Sequence, residues 1–333
     1  MKIAIHNNKG FAERWIAYCK ERNISYKIVN CYDNNIIEQL SDCDAFMWHF
    51  HHASPKDFLF AKQLLYSVQM SGKKVFPDFN TVWHFDDKVG QKYLLESINA
   101  PLVTTHIFYT KEEALSWAKN TEYPKVFKLR GGAGSTNVQL VKKQSEAIKL
   151  INQSFSKGHK SDSVVSFKDS FNKYQKHKIT FLELLKNGVR HIIPTEFTKV
   201  YGKQRGYVLF QDFIPNNHFD IRIIVIGEKA FGIKRLVREN DFRASGSGNI
   251  IYRKDEIDEE CVKIAFELNQ QLKTQCIAID YVFKNTQPLI VEISYGFLAC
   301  VYDSCEGYWD SQLVWHKGHV NPYGWMIDNI ITK

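Results

Sequence analysis

Cys276-Ile277-Ala278-Ile279-Asp280-Tyr281-Val282-Phe283 and Leu289-Ile290-Val291-Glu292-Ile293-Ser294-Tyr295 are two apolar runs, each carrying one acid, joined by Lys284-Asn285-Thr286-Gln287-Pro288. Short apolar runs rich in β-branched residues and bounded by turn formers read as β-strands. Centring the turn on Thr286 makes them a hairpin with Asp280 directly opposite Glu292. Ser294 then shares their face, because side chains alternate along a strand. The residues around them, Ile277, Ile279, Val282, Ile290, Val291 and Ile293, are all apolar. Two carboxylates facing each other in such surroundings repel, and need a shared proton or a cation. Two hard oxygen ligands with no Cys or His nearby point to Mg²⁺ held jointly with nucleotide phosphates. A protonated or exposed pair is the alternative. If repulsion dominates, neutralising either acid raises the stability of the empty protein.

Upstream, Gly227-Glu228 forms a two-residue turn with glycine first, which suits type II′. Pairing Ile226 with Lys229 places Asp220 opposite Arg235 and Arg222 opposite Ile233, with Asp220, Arg222 and Arg235 on one face. An ion pair explains two of these. It does not explain Arg238 and Arg243, nor the loop Ala244-Ser245-Gly246-Ser247-Gly248. Arginines beside a flexible loop suit a site that handles phosphate and carboxylate oxygens. Further upstream, Lys125-Val126-Phe127-Lys128 reads as a strand running into Gly131-Gly132-Ala133-Gly134-Ser135. Glycine lets backbone N–H groups close on an anion, and Lys128 adds a point charge. No Gly-Lys-Ser/Thr follows, so this is not a Walker A loop, and a glycine-rich hairpin turn is the alternative.

The first hundred residues alternate strands (Lys2–His6, Tyr26–Asn30, Ala45–Phe50, Lys74–Phe76) with helices (Phe11–Arg22, Asn35–Leu40, Pro55–Met70). That pattern implies a parallel sheet covered on both faces. The expected fold class is α/β (α+β) in three parts. Residues 1–100 form a Rossmann-like domain, 101–206 a small subdomain with a basic insertion at 155–203, and 207–333 a strand-rich subdomain with the acidic hairpin. The length of 333 residues fits more than one core. The net charge of +8 is concentrated between Lys142 and Arg205, where fourteen Lys/Arg meet five Asp/Glu, a local excess of +9. That stretch suits an anionic substrate or a solvated insertion; no nucleic-acid motif accompanies it. Seven scattered cysteines without zinc spacing, no span-length apolar run and no signal peptide give the expectation of a cytoplasmic protein. His49-Phe50-His51-His52 ends the third strand, where ligands bind in open α/β sheets, though strand-end surface is the plainer reading. Aromatic residues make up 14% of the chain and are read first as core, with sugar stacking as the alternative.

In their order along the chain, these pieces resemble the ATP-grasp superfamily, which includes D-alanine–D-alanine ligases, glutathione synthetases and ribosomal-protein glutamate ligases. The resemblance covers roughly residues 86–294. It implies a Rossmann-like pre-grasp domain followed by a two-subdomain ATP-grasp fold, and the cofactors ATP and Mg²⁺. Asp87-Lys88 resembles the motif whose lysine reaches the nucleotide, and Lys128 with Gly131, Gly132, Gly134 and Ser135 the phosphate-covering element. Phe210-Gln211-Asp212-Phe213-Ile214 resembles the hinge strand that holds adenine. Asp220-Ile221-Arg222, Lys234-Arg235 and Asp241-Phe242-Arg243 resemble the arginine motifs, which implies that Arg235, Arg243 and Arg222 act on the transferring group. Asp280, Glu292 and Ser294 match the metal positions. The last of these is commonly Asn, and Asp212 stands where Glu is frequent.

The implied reaction joins a carboxylate, activated as an acyl phosphate, to an amine. The tail (Gly307-Tyr308-Trp309, Trp315-His316, Pro322-Tyr323-Gly324-Trp325) looks like a bacterial subgroup associated with surface polysaccharides. That implies an anionic glycan or nucleotide-sugar among the substrates, and the resemblance is compatible with a homodimer. The alternatives are a phosphotransferase that stops before ligation and a non-catalytic nucleotide-binding protein.

Overall fold

The computed structural model of the chain describes residues 1–52, 54–132, 137–160, 180, 196–238 and 241–332. The N-terminal layer is built from β1 (Lys2–His6), α1 (Phe11–Glu21), β2 (Ser25–Val29), α2 (Ile36–Gln39), β3 (Ala45–Met47), α3 (Pro55–Met70) and β4 (Lys74–Phe76). Its four strands are parallel in the order β2-β1-β3-β4, as the alternation predicts. Ser54 caps α3 by accepting from the Asp57 N–H, and Pro55 occupies the first turn, where its missing N–H costs nothing. The short α4 (Phe79–Val82) leads to α5 (Lys88–Ser97), capped by Asp87 through the Gly90 N–H.

A second, antiparallel sheet contains β5 (Thr105–Phe108), β6 (Lys125–Lys128) and β7 (Val138–Val141), backed by α6 (Lys111–Asn120) and α7 (Gln144–Ser154). After α8 (Glu196–Tyr201), β8 (Val208–Asp212) closes it in the order β5-β8-β6-β7. Most of the basic stretch 155–203 lies outside the described residues. Its described end, α8, packs Phe197 and Tyr201 against Phe58 of α3.

The third sheet starts with β9 (Phe219–Ile226), β10 (Lys229–Leu236) and β11 (Ile250–Ile251). After α9 (Glu259–Leu272) come β12 (Cys276–Lys284), β13 (Gln287–Ser294), β14 (Gly307–Asp310) and β15 (Trp315–Lys317). The order is β13-β12-β9-β10-β14-β15, with β11 paired to β10. The β9–β10 register is the expected one, Asp220 facing Arg235 and Arg222 facing Ile233. The β12–β13 hairpin reaches the expected pairing by another route. Asn285 and Thr286 both have positive φ, 50° and 69°, and Lys284 pairs with Gln287 across this two-residue turn. Alone, that shifts the register by one residue; a bulge that leaves Val291 unpaired restores Asp280 opposite Glu292.

The aromatic tail is largely core. Trp309 and Tyr323 are buried, and α10 (Pro322–Thr332) lies against α1, where the Tyr18 hydroxyl donates to Asp328 over 3.0 Å. The apolar core under the N-terminal sheet therefore runs on into Phe231, Tyr302 and Ile327. No described helix is long and apolar enough to cross a membrane.

Candidate active site

The second and third sheets face each other across a chamber of about 800 Å³, lined at one end by His49–His52 of the segment after β3. A cleft of about 970 Å³ opens on the far side of the strand-to-strand connection Asp212–Phe219. The charged groups converge in the first, and the chemistry is placed there.

Lys128, the last residue of β6, is buried and donates to Gln211 Oε1 over 2.6 Å; Gln211 Nε2 in turn donates to Thr105 Oγ1 over 3.1 Å. Burial pushes the Lys128 ammonium down to about 8, more than the attraction of Glu292 restores. Lys88, first in α5, brings Nζ to 2.9 Å from Glu292 Oε1 and donates to the Gly132 carbonyl over 2.8 Å. Its burial disfavours charge, but Glu292 and Asp86 outweigh it and keep the ammonium above its ordinary value.

Sequence reasoning did not single out Asp86. Its backbone is left-handed, φ 54°, which Asp tolerates better than most residues. Its carboxylate accepts from the Gly132 N–H over 2.7 Å, and a Cβ on Gly131 would stand 2.9 Å from its Oδ2. Glycine at 131 is thus a requirement of close approach. Burial pushes Asp86 up to about 6. Arg130 anchors the same loop, forking onto Asp87 at 2.8 and 2.5 Å. Gly134 and Ser135 lie outside the described residues. Asp212 turns to the edge of the chamber and pairs with Lys125 at 2.7 Å, while Phe213 lines the wall.

On the opposite wall the acids are not left to repel. β12 lies beside β9, so Asp280 is the neighbour of Arg222. Arg222 Nη1 is 3.3 Å from Asp280 Oδ2, and Arg235 Nη2 is 2.9 Å from Oδ1. Arg235 also forks onto Asp220 at 2.6 and 2.8 Å. Burial works against charge on Asp280, but the two guanidiniums hold it below the usual carboxylate range. Asp220, sharing Arg235, is pushed by burial up to about 6. The expectation that mutual repulsion governs Asp280 and Glu292 is therefore corrected, since each acid has its own cation.

Asp280 Oδ1 meets Arg235 as an ion pair, and it and Arg222 Nε are buried without a hydrogen-bond partner among the described residues. A buried oxygen in that condition fits a further cation or a ligand group. Ser294 directs its hydroxyl to the backbone of Gly296, 3.2 Å from the carbonyl and 3.1 Å from the nitrogen. No group of three or more His, Cys, Asp or Glu that could hold a metal occurs among the described residues. A metal here would take two protein carboxylates and complete its shell from phosphate and water, as Mg²⁺ does. Arg243 lines the chamber, its Nη2 2.7 Å from Asp241. Arg238 braces the glycine loop through the carbonyls of Ser245 and Gly246, at 3.1 and 3.0 Å.

β3 ends at Met47, and the histidines follow it instead of closing the strand. His49 stacks on Phe11 at 3.8 Å, and burial pushes it down to about 3. His51 and His52 stack on each other at 4.5 Å.

The RimK-like ATP-grasp domain family matches residues 187–296. By sequence, none of the curated proteins compared matches the chain. Solved structures similar in fold include the following. A RimK-domain ATP-grasp protein from Sphaerobacter thermophilus has a TM-score of 0.57 at 14% identity, covering 99% of this chain and 100% of that one. D-alanine–D-alanine ligase from Bacillus anthracis gives 0.55 at 14%, covering 99% and 96%. The biotin carboxylase domain of Hydrogenobacter thermophilus 2-oxoglutarate carboxylase, solved with MgADP and bicarbonate, gives 0.61 at 12%, covering 100% and 70%.

Proposed function

We propose that this chain, an ATP-grasp protein by fold and by the family its stretch 187–296 matches, uses ATP and Mg²⁺ to join a carboxylate to an amine. The observation that carries this is one chamber in which Lys128 and Lys88 face the carboxylates Asp280 and Glu292. Gln211, Asp212 and Phe213 form the adenine end, the hinge backbone supplying its hydrogen bonds, while Asp220 steadies Arg235. Gly131 and Gly132 would cover the phosphates, and the family resemblance assigns Gly134 and Ser135 to the same loop. Mg²⁺ on Asp280 and Glu292, with Ser294 near, would neutralise the phosphate oxygens and orient the terminal phosphoryl group. The acid's carboxylate attacks that group, giving an acyl phosphate and ADP. Lys88, Lys128 and Arg235 offset the charge, while Arg222 and Arg243 hold the acyl phosphate away from water. Phosphoryl transfer of this kind depends on positioning and charge more than on covalent help.

A surface-glycan acid or nucleotide-sugar as substrate is the finer reading; it rests on the resemblance of the tail, and the basic stretch would favour such an anion. A cytoplasmic location, where ATP is supplied, and a homodimer complete the proposal.

Saturating MgATP should raise the Tm by roughly 5 °C, since a ligand that binds only the folded state stabilises it. Lys128→Ala should remove most of that shift, and an unshifted wild-type melt contradicts nucleotide binding. The pH dependence has a definite sign. Lys128 of the empty site loses its proton near pH 8, and the triphosphate favours the charged form. Affinity should be flat well below pH 8 and weaken above it by up to about tenfold per pH unit. Lys128→Arg, always charged, should flatten the profile in a calorimetric titration.

A further inference from the structure

With the nucleotide anchored at the hinge and its phosphates at Lys128 and Glu292, the space left for the second substrate is the opposite end of the chamber. That end is walled by His49–His52, Phe85, Phe297, Leu298 and Tyr302. It is built tightly. A Cβ on Gly296 would lie 3.2 Å from His49 Nε2, so β13's exit and the histidine segment meet closely enough that a side chain there would have to displace the imidazole by a few tenths of an ångström. The buried Asp57 fixes the segment, accepting from the His51 N–H over 2.8 Å, from Ser54 Oγ over 2.7 Å and from the Tyr32 hydroxyl. Asp86 and Lys88 at this end are engaged, with Gly132 and Glu292, and the His49 ring is stacked on Phe11. The His52 ring touches His51 and Phe85 edge or face, and makes no hydrogen bond or ion pair among the described residues.

We infer that the His51–His52 ledge is the subsite of the acceptor amine, with the His52 imidazole receiving the proton that the amine gives up. The assignment presupposes the ligase reading and adds where the second substrate sits. The amine lone pair attacks the acyl carbon and forms the C–N bond. The C–O bond to phosphate breaks, its electron pair leaving on phosphate. The surplus N–H proton passes to an imidazole nitrogen and from there to the departing phosphate or solvent.

Burial first, then His51 and Lys88, hold His52 down at about 4, with Glu292 pulling the other way, so its ring is neutral at pH 7. An arriving triphosphate offsets Lys88 and makes that ring a better base.

Hydroxylamine separates this role from a structural one, because it is uncharged at neutral pH and captures acyl phosphates without needing a base. Wild type, His52→Gln and His52→Asn are assayed with MgATP and a panel of amino acids, amino sugars and uronic acids, reading amide, hydroxamate and the MgATP melting shift. His52→Gln should keep the shift and the hydroxamate within about threefold while amide formation falls about a hundredfold or more, the scale of general-base catalysis. His52→Asn, with a smaller side chain, checks the result if the first variant folds poorly. Amide and hydroxamate falling together, or neither falling, overturns the assignment. A wild type that shows the MgATP shift but traps no hydroxamate from any acid removes the ligase reading, and the assignment with it; that failure is visible without any variant.

Discussion

Arg235→Ala should lose about 3–5 kcal/mol of stability, the cost of leaving a buried charge without its partner. Arg235 is the hub of the third sheet's ion network, forked onto Asp220 and within 2.9 Å of Asp280. Its removal leaves Asp220 without an ion pair among the described residues and Asp280 with Arg222 and, farther off, Lys128. Combining Arg235→Met with Asp220→Leu should recover most of the loss, because apolar replacement of both partners removes the desolvation cost along with the attraction. Urea unfolding of the single and double variants checks this. Asp280→Asn should destabilise as well, opposite to the effect that repulsion between Asp280 and Glu292 alone would give. A loss below about 1 kcal/mol for Arg235→Ala would put the pair in the range of exposed ion pairs and contradict the network.

Glu292→Gln should lower Mg²⁺-dependent ADP release by about 10²–10³-fold, the range for removing one preorganised electrostatic contact with the transferring group. Its stability cost should be smaller than that of Arg235→Ala, since Lys88 keeps the Gly132 carbonyl and has Asp86 near. Magnesium titrations of ADP release beside thermal melts separate the two properties. Intact magnesium dependence in a destabilised protein would make Glu292 a structural partner of Lys88 and nothing more.

The layers and most strand ends were legible in the sequence, because hydrophobic period and turn residues are local properties. The hairpin pairing of Asp280 with Glu292 was anticipated, yet for an incomplete reason. A five-residue turn was expected, whereas Asn285 and Thr286 adopt left-handed backbone and a bulge at Val291 compensates. Thr is a weak signal for positive φ, so nothing local announced the tighter turn.

The Asp220–Arg235 pair could be read from one hairpin. Arg222 meeting Asp280 could not, because it depends on β12 lying beside β9, a pairing between strands some fifty residues apart. Asp86 carried no signal in the sequence, since its role arises only from the approach of Gly131 and Gly132 in the loop after β6, distant along the chain. The histidines were assigned to the end of a strand that in fact stops at Met47.

ADP release from MgATP, screened against pairs of amino acids, amino sugars and glycan acids, tests the central claim most directly. The predicted result is release that needs Mg²⁺, an acid and an amine together, with the amide as product and little turnover when the amine is withheld. Sustained ADP release with no requirement for an amine would contradict ligation and favour a phosphotransferase. No release from any pair, in a protein whose melting temperature rises with MgATP, would leave a nucleotide-binding protein in place of an enzyme.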